Sequence, residues 1–415
     1  MEVAQLERRI SDWRLAVDGG TRVRPKPMPR RLAFGDAETA MLEEAVRVYR
    51  SEGIDPGYEG IYEKRYIDAF VEMMGGGYAD AVATGTGAIF VALAALDLPA
   101  GSEVMVSPIT DPGTLSAIVL NGLIPRLGDA RPEEYNIGVE QVLQRLTPDV
   151  SAVVVVHTFG RAAEIDRIAE VSRKQGIRVV EDCSQSHGAT LDGRPVGTFG
   201  DIATFSTMHR KIHMTGGSGG VVYARDPEIF RRALAHADRG KPRWQDDFDD
   251  RNPETYLWPA LNWHSDELSC AIGIASLSRL GATIARRLAF VADLTALLGG
   301  LDTMFRPAVW QPSDAPFVLP VFVDLEQTGR RKTQIAEAVR AEGIDLNPDY
   351  RYLASDWPWL RPYLADRFET PNARSSRDRS FCLYLNENYG AEEAADVAAA
   401  LLKVHRACAK AHQST

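Results

Sequence analysis

Residues 179–222 read VVEDCSQSHGATLDGRPVGTFGDIATFSTMHRKIHMTGGSGGVV, and this stretch decides the fold. It opens on an apolar run, Val179–Val180, that stops at two carboxylates, Glu181 and Asp182. It closes on Lys211 in a short polar loop, then a glycine cluster at 216–220 and a second apolar strand. Upstream, SAVVVVHTFGRAAEIDRIAEVSRKQGIRVVEDC alternates strand, loop, helix and strand, and EVMVSPITDPGTLSAIVLNGLIPRLGDA does the same. Short apolar strands alternating with helices predict a doubly wound, mostly parallel sheet with helices on both faces. TGTG (84–87), SPITD (107–111), HTFG (157–160) and EDCSQSHG (181–188) then all fall at strand ends, where such sheets hold their ligands.

The chemistry follows from the same placement. An acid at a strand mouth, with a lysine near a glycine-rich turn, is the pairing that pyridoxal phosphate requires. The lysine amine forms a Schiff base with the cofactor's aldehyde. The carboxylate keeps the pyridine nitrogen protonated, so that the ring accepts electrons from a carbanion. Lys211 is assigned the first role and Asp182 the second. TGTG opens an apolar helix, and free N–H groups at a helix N-terminus suit a phosphate; as an isolated motif it is equally an ordinary structural junction.

The series Asp182, Gln185, His187, Gly188, Ser206 and Lys211 resembles, in order and spacing, the DegT/DnrJ/EryC1/StrS aminotransferases, which aminate keto-sugars and related cyclic polyols. The whole chain can be laid on that family. The resemblance implies the aspartate aminotransferase-like fold type I: a mostly parallel seven-stranded α/β sheet plus a smaller C-terminal α+β domain. It implies pyridoxal 5'-phosphate as cofactor, glutamate or glutamine as amino donor, and a sugar or cyclitol ketone as acceptor. It places Thr86 and Gly87 on the phosphate, Ser206 as a further phosphate donor, and Gln185 on the cofactor's phenolic oxygen. Asn262, in a LN motif, is implied to reach the phosphate of a neighbouring subunit, hence a homodimer with shared active sites; it also suits a helix cap. In this superfamily a histidine in place of the lysine marks sugar dehydratases. Here His209 and His213 flank Lys211 out of register.

Two departures stand out. An aromatic normally stacks on the pyridine ring from the loop that here reads SPITDP, and Asp111 occupies that place. Either another group covers the ring or Asp111 faces the substrate. The turn after Lys211, GGSGG, is one residue longer than the usual GEGG. His187 is a candidate for the substrate or for a core histidine. Tyr350 and Trp357, in YRYLASDWPWLRPY, are candidates for a sugar ring or for packing of the small domain. A dehydratase or lyase on the same fold, and a regulator that keeps the cofactor without turnover, are the other classes considered; the retained lysine disfavours the second.

The 415 residues allow two or three units of core: an arm over 1–36, a large α/β domain over 37–280 and a small α+β domain over 281–415. LAVDGGTRVRP in the arm resembles the opening of family members that act on cyclitols, and an ordered arm near the site entrance is expected. The net charge of −10 argues against a nucleic-acid surface. Four scattered cysteines without CxxC spacing suggest reduced thiols rather than disulfides or zinc. No signal-peptide pattern and no membrane-length apolar run is seen, so a cytoplasmic protein is expected.

Overall fold

A computed structural model describes residues 2–413 of the chain. Seven strands form the central sheet: β1 (Tyr78–Val82), β2 (Glu103–Val106), β3 (Ile124–Leu127), β4 (Val150–Val156), β5 (Arg178–Asp182), β6 (Ile202–Ser206) and β7 (Gly220–Ala224). Their spatial order is β1-β7-β6-β5-β4-β2-β3. The pairs from β3 through β6 are parallel, and β7 alone runs reversed between β6 and β1. β4 is nearly all valine and buried along almost its whole length, as a central strand covered by helices on both faces must be. The helix Gly85–Ala95 is apolar all round and largely buried, whereas Ile165–Lys174 buries one face only.

Parallel strands put their carboxyl ends on one edge. Asp182 ends β5, Ser206 ends β6, and β1 leads through Ala83 into the helix Gly85–Ala95. Thr84 caps that helix by accepting the Gly87 N–H, a contact worth about 1 kcal/mol. Gly219, at φ +148°, brings the backbone before β7 against Thr207 and Thr215; a Cβ there would lie 2.0 Å from the Thr215 hydroxyl.

A second sheet of four antiparallel strands has the order Phe305–Pro307, Val318–Val323, Ser380–Tyr384, Leu346–Asn347. The helices Leu280–Gly299, Lys332–Ala341 and Ala391–Gln413 pack with it in one core. The arm differs from its expected place. Leu6, Ile10, Leu15 and Met28 are buried in this second core, so most of the arm packs as part of the C-terminal unit. Arg24 is buried between Asp396 (2.6 Å) and Glu393 (3.0 Å), and Lys403 is buried on Glu342 (2.9 Å). Only the following segment, from Pro29, turns toward the sheet edge. Among the described residues no single helix is long and apolar enough to cross a membrane.

Candidate active site

At the carboxyl edge of β1, β4, β5 and β6 lies a cavity of about 220 Å³. Its wall includes Thr86, Asp111, Asp182, Gln185, Ser206 and Lys211, six residues that the sequence singles out. Asp182 is buried, with Oδ1 accepting the Ser184 N–H at 3.0 Å and Oδ2 3.5 Å from the Thr114 hydroxyl. It forms no ion pair among the described residues. A buried carboxylate without a cation is costly, and a protonated ring nitrogen would supply one.

Lys211 comes off a turn closed by its own N–H on the Met208 carbonyl (2.9 Å). Its ammonium sits over the Phe317 ring, 5.2 Å from the centroid. Burial lowers the amine below the usual lysine value, opposed by the negative charges of Asp182 and Asp111. A lysine held this way is richer in the neutral, nucleophilic form.

The phosphate end is built by close approach. Gly85 lies so near Ser206 that a Cβ on it would be 2.4 Å from the serine Cβ. Gly85 and Thr86 line the cavity beside Ser206, and their first-turn N–H groups have no acceptor inside their own helix. Gly87 departs from expectation: its N–H is bound to the Thr84 hydroxyl (2.8 Å) and its α-carbon packs on Trp263. Gly85 and Thr86, rather than Gly87, line the cavity. Gln185 accepts the Phe159 N–H at 2.8 Å and keeps its amide at the cavity wall. An unpaired buried carboxylate, an amine and a helix N-terminus ringed by hydroxyls in one cavity fit pyridoxal phosphate.

Other candidates lie elsewhere. His187 is fully buried behind β6, its Nε2 donating to the Ser206 carbonyl at 2.9 Å. Burial pushes its pKa down to about 4, so the ring is neutral; it steadies Ser206 and does not line the cavity. Tyr350 packs edge-on against Phe159 and lies behind the cavity wall, its hydroxyl bonded to the Gln185 side chain. Trp357 stacks on Trp359 over a separate open groove that Pro112, next to Asp111 in the chain, also lines. Asn262 is exposed, bonded to the Tyr58 hydroxyl at 3.3 Å, and does not reach its own chain's cavity. The buried trio His157, Glu181 and Cys183 has metal-like spacing. Its carboxylate already accepts the N–H groups of Gly197, Phe199 and Gly200 and faces His157 Nε2, which makes it a brace for that loop.

Three groups were missed. Ser184 and Thr114 flank Asp182; Ser184 lies within EDCSQSHG but the motif assigns it no role, and Thr114 stands just past SPITD. Arg31, from the arm, donates to the carbonyls of His209 and Lys211. Its only sequence signal is the cluster of basic residues in that arm.

Sheet topology and cavity together define a pyridoxal-phosphate enzyme of fold type I. Residues 38–402 match the DegT/DnrJ/EryC1/StrS aminotransferase family. The chain is 30% identical to an L-glutamine:2-deoxy-scyllo-inosose aminotransferase of Streptomyces kanamyceticus, covering 86% of this chain and 85% of that one. It is also 30% identical to a putative L-glutamine:3-amino-2,3-dideoxy-scyllo-inosose aminotransferase of Streptoalloteichus tenebrarius, over 85% and 86% of the two chains. The solved aminotransferase of Psychrobacter cryohalolentis superimposes with a TM-score of 0.81 at 25% identity, over 92% of this chain and 100% of that one. The chain belongs to the DegT/DnrJ/EryC1/StrS aminotransferase family. It is a pyridoxal-phosphate-dependent aminotransferase.

Proposed function

We propose that this enzyme moves the amino group of L-glutamine to the ketone of a free cyclitol. The observation that carries the reading is the single cavity holding Lys211, Asp182 and the open N-terminus of the helix Gly85–Ala95. The substrate class comes from the two relatives, whose names give L-glutamine as donor and a ring ketone as acceptor, one without an amino group and one with.

When bound, pyridoxal phosphate supplies an aldehyde that carries nitrogen between substrates and a ring that takes up the electron pair left by a departing proton. Asp182 would hold the ring nitrogen protonated. The N–H groups of Gly85 and Thr86, with Ser206, would hold the phosphate. Gln185 would bind the phenolic oxygen. Lys211 Nζ would take up and hand back the proton of the substrate carbon, a relay that its lowered pKa favours.

The active form is assigned as a homodimer, with Asn262 of each chain completing the phosphate site of the other. Asn262 stands exposed, with Tyr58 and Leu261 exposing apolar surface beside it. The four buried, unpaired cysteines favour a reducing compartment such as the cytoplasm.

The test separates the half-reactions. L-Glutamine should discharge the cofactor's aldehyde absorbance, and a ring ketone should restore it. If only simple α-keto acids restore it, the cyclitol reading is wrong.

A further inference from the structure

We infer that Asp111 is a specificity residue, a carboxylate that selects a ring ketone already bearing an ammonium group. The inference rests on the cyclitol reading above and narrows it.

Asp111 is fixed by its own surroundings. It caps the helix Pro112–Leu120, with Oδ1 accepting the Gly113 N–H at 2.8 Å, and Pro112 restricts the backbone that follows. Gly113 is wedged against Thr86: a Cβ there would lie 2.2 Å from the threonine Oγ1. The cap bond and the close-packed backbone after it hold the carboxylate toward the cavity wall. Its side chain is exposed on that wall and forms no ion pair among the described residues.

The charges of the cavity make this arrangement selective. Its lining holds two carboxylates, Asp182 and Asp111, and one cation, Lys211. The fit to the cofactor assigns Lys211 to the aldehyde and Asp182 to the ring nitrogen. Asp111 is then the one carboxylate of the lining without an assigned partner. The guanidinium of Arg31 is directed onto the carbonyls of His209 and Lys211. A fixed, unpaired carboxylate attracts a cation and repels a phosphate or diphosphate, which selects against a nucleotide-linked sugar. It also occupies the position from which an aromatic would offer only an uncharged face.

The experiment compares the holoenzyme with its Asp111→Asn variant. Asparagine keeps the helix cap, so the fold is preserved. Each protein is loaded with L-glutamine and then given the two ring ketones named for the relatives, with and without the amino group. The wild type should prefer the amino ketone. In the variant, the ratio of kcat/KM for the amino ketone to that for the uncharged ketone should fall about tenfold or more, the size of one lost charged contact. The wild-type preference should also weaken as salt is raised. If the variant changes both ketones alike, or the wild type prefers the uncharged ketone, the assignment of Asp111 is overturned while the cyclitol reading stands. If neither ketone discharges the loaded enzyme, the cyclitol reading falls and Asp111 with it.

Discussion

Arg31 Nη2 donates to the main-chain carbonyl of Lys211 at 2.9 Å, and its Nη1 donates to the carbonyl of His209 at 3.0 Å. The arm thus grips the loop that carries the reactive amine. Its other side is stitched to the loop after Ser380–Tyr384: Asn386 donates to the Pro29 carbonyl, Asn388 to the Arg30 carbonyl, and Glu387 accepts the Leu32 N–H. Arg31→Ala should lower kcat by roughly ten- to a hundredfold, since small misplacements of a reacting group have costs of that order. It should also broaden the absorbance of the bound cofactor. Arg31→Lys should recover part of both. Wild-type kcat in Arg31→Ala would reduce the arm to a passive cover.

Lys211 and Asp182 should fail in different ways. Lys211→Ala removes the amine and the proton relay, the latter alone worth about 10²–10⁴-fold. The variant should still bind cofactor through Gly85, Thr86, Ser206 and a partner's Asn262. Borohydride treatment of the wild-type holoenzyme should fix the cofactor to the peptide carrying Lys211. Asp182→Asn keeps the shape at the end of β5 and removes the charge, so it should bind cofactor yet lose turnover. Labelling of a different lysine would displace the whole site.

Much of this was legible because local chemistry and global fold agree. The valines of β4, the carboxylates ending β5 and Asp-Pro-Gly at a helix start each announce their structure within a few residues. What escaped depends on distant partners. Leu6 and Ile10 look like scattered apolar residues until the C-terminal unit, with the helix Ala391–Gln413 hundreds of positions on, takes them into its core. Arg31 binds carbonyls, which every residue has, so no spacing betrays its target. Gly85 and Gly87 are alike in sequence, and only the Thr84 cap and the wall of Ser206 decide which N–H remains open. His187 shares the motif of its neighbours, but it points behind the strand while Gln185 points to the cavity.

The lowered pKa of Lys211 has a direct readout. Neutral amine captures the cofactor's aldehyde, so the rate of cofactor uptake by apoenzyme should rise with pH. Its midpoint should lie below the 10.5 of a free lysine. Asp182 and Asp111 raise this pKa against the effect of burial, so Asp111→Asn should move the midpoint lower still. A midpoint at or above the free-lysine value would contradict the enclosed placement of the amine.

Glu63 makes stability depend on pH. Burial pushes its carboxyl from 4.5 up to about 7, and among the described residues its Oε1 has no hydrogen-bond partner. The Glu59 N–H, which donates to Oε2 at 2.8 Å, and His264 oppose the shift, while the charges of Glu59 and Glu267 add to it. The folded state favours the proton, so this contribution is complete below pH 4.5 and is lost as pH rises through about 7. The full span is roughly 3 kcal/mol. The Tm should therefore fall between about pH 4.5 and 7 and level off above that, and Glu63→Gln should flatten the slope. An unchanged slope in the variant would assign the dependence to another group.

The shared active site is tested by complementation. Lys211→Ala chains keep Asn262, and Asn262→Ala chains keep Lys211; each homodimer alone lacks one of the two residues in both sites. A hybrid dimer unites both defects in one site and leaves the other intact, with Lys211 from one chain and Asn262 from its partner. Random exchange in an equal mixture makes half of the dimers hybrid, so activity should recover to about a quarter of the wild type. Recovery should follow the time course of subunit exchange and be absent when the dimers are cross-linked before mixing. A mixture that stays at the mean of the two single variants, with exchange verified by mass-tagged chains, would confine each active site to one chain. Asn262 would then be a residue of the loop, bonded to Tyr58 and to the His264 N–H, with no part in binding the cofactor.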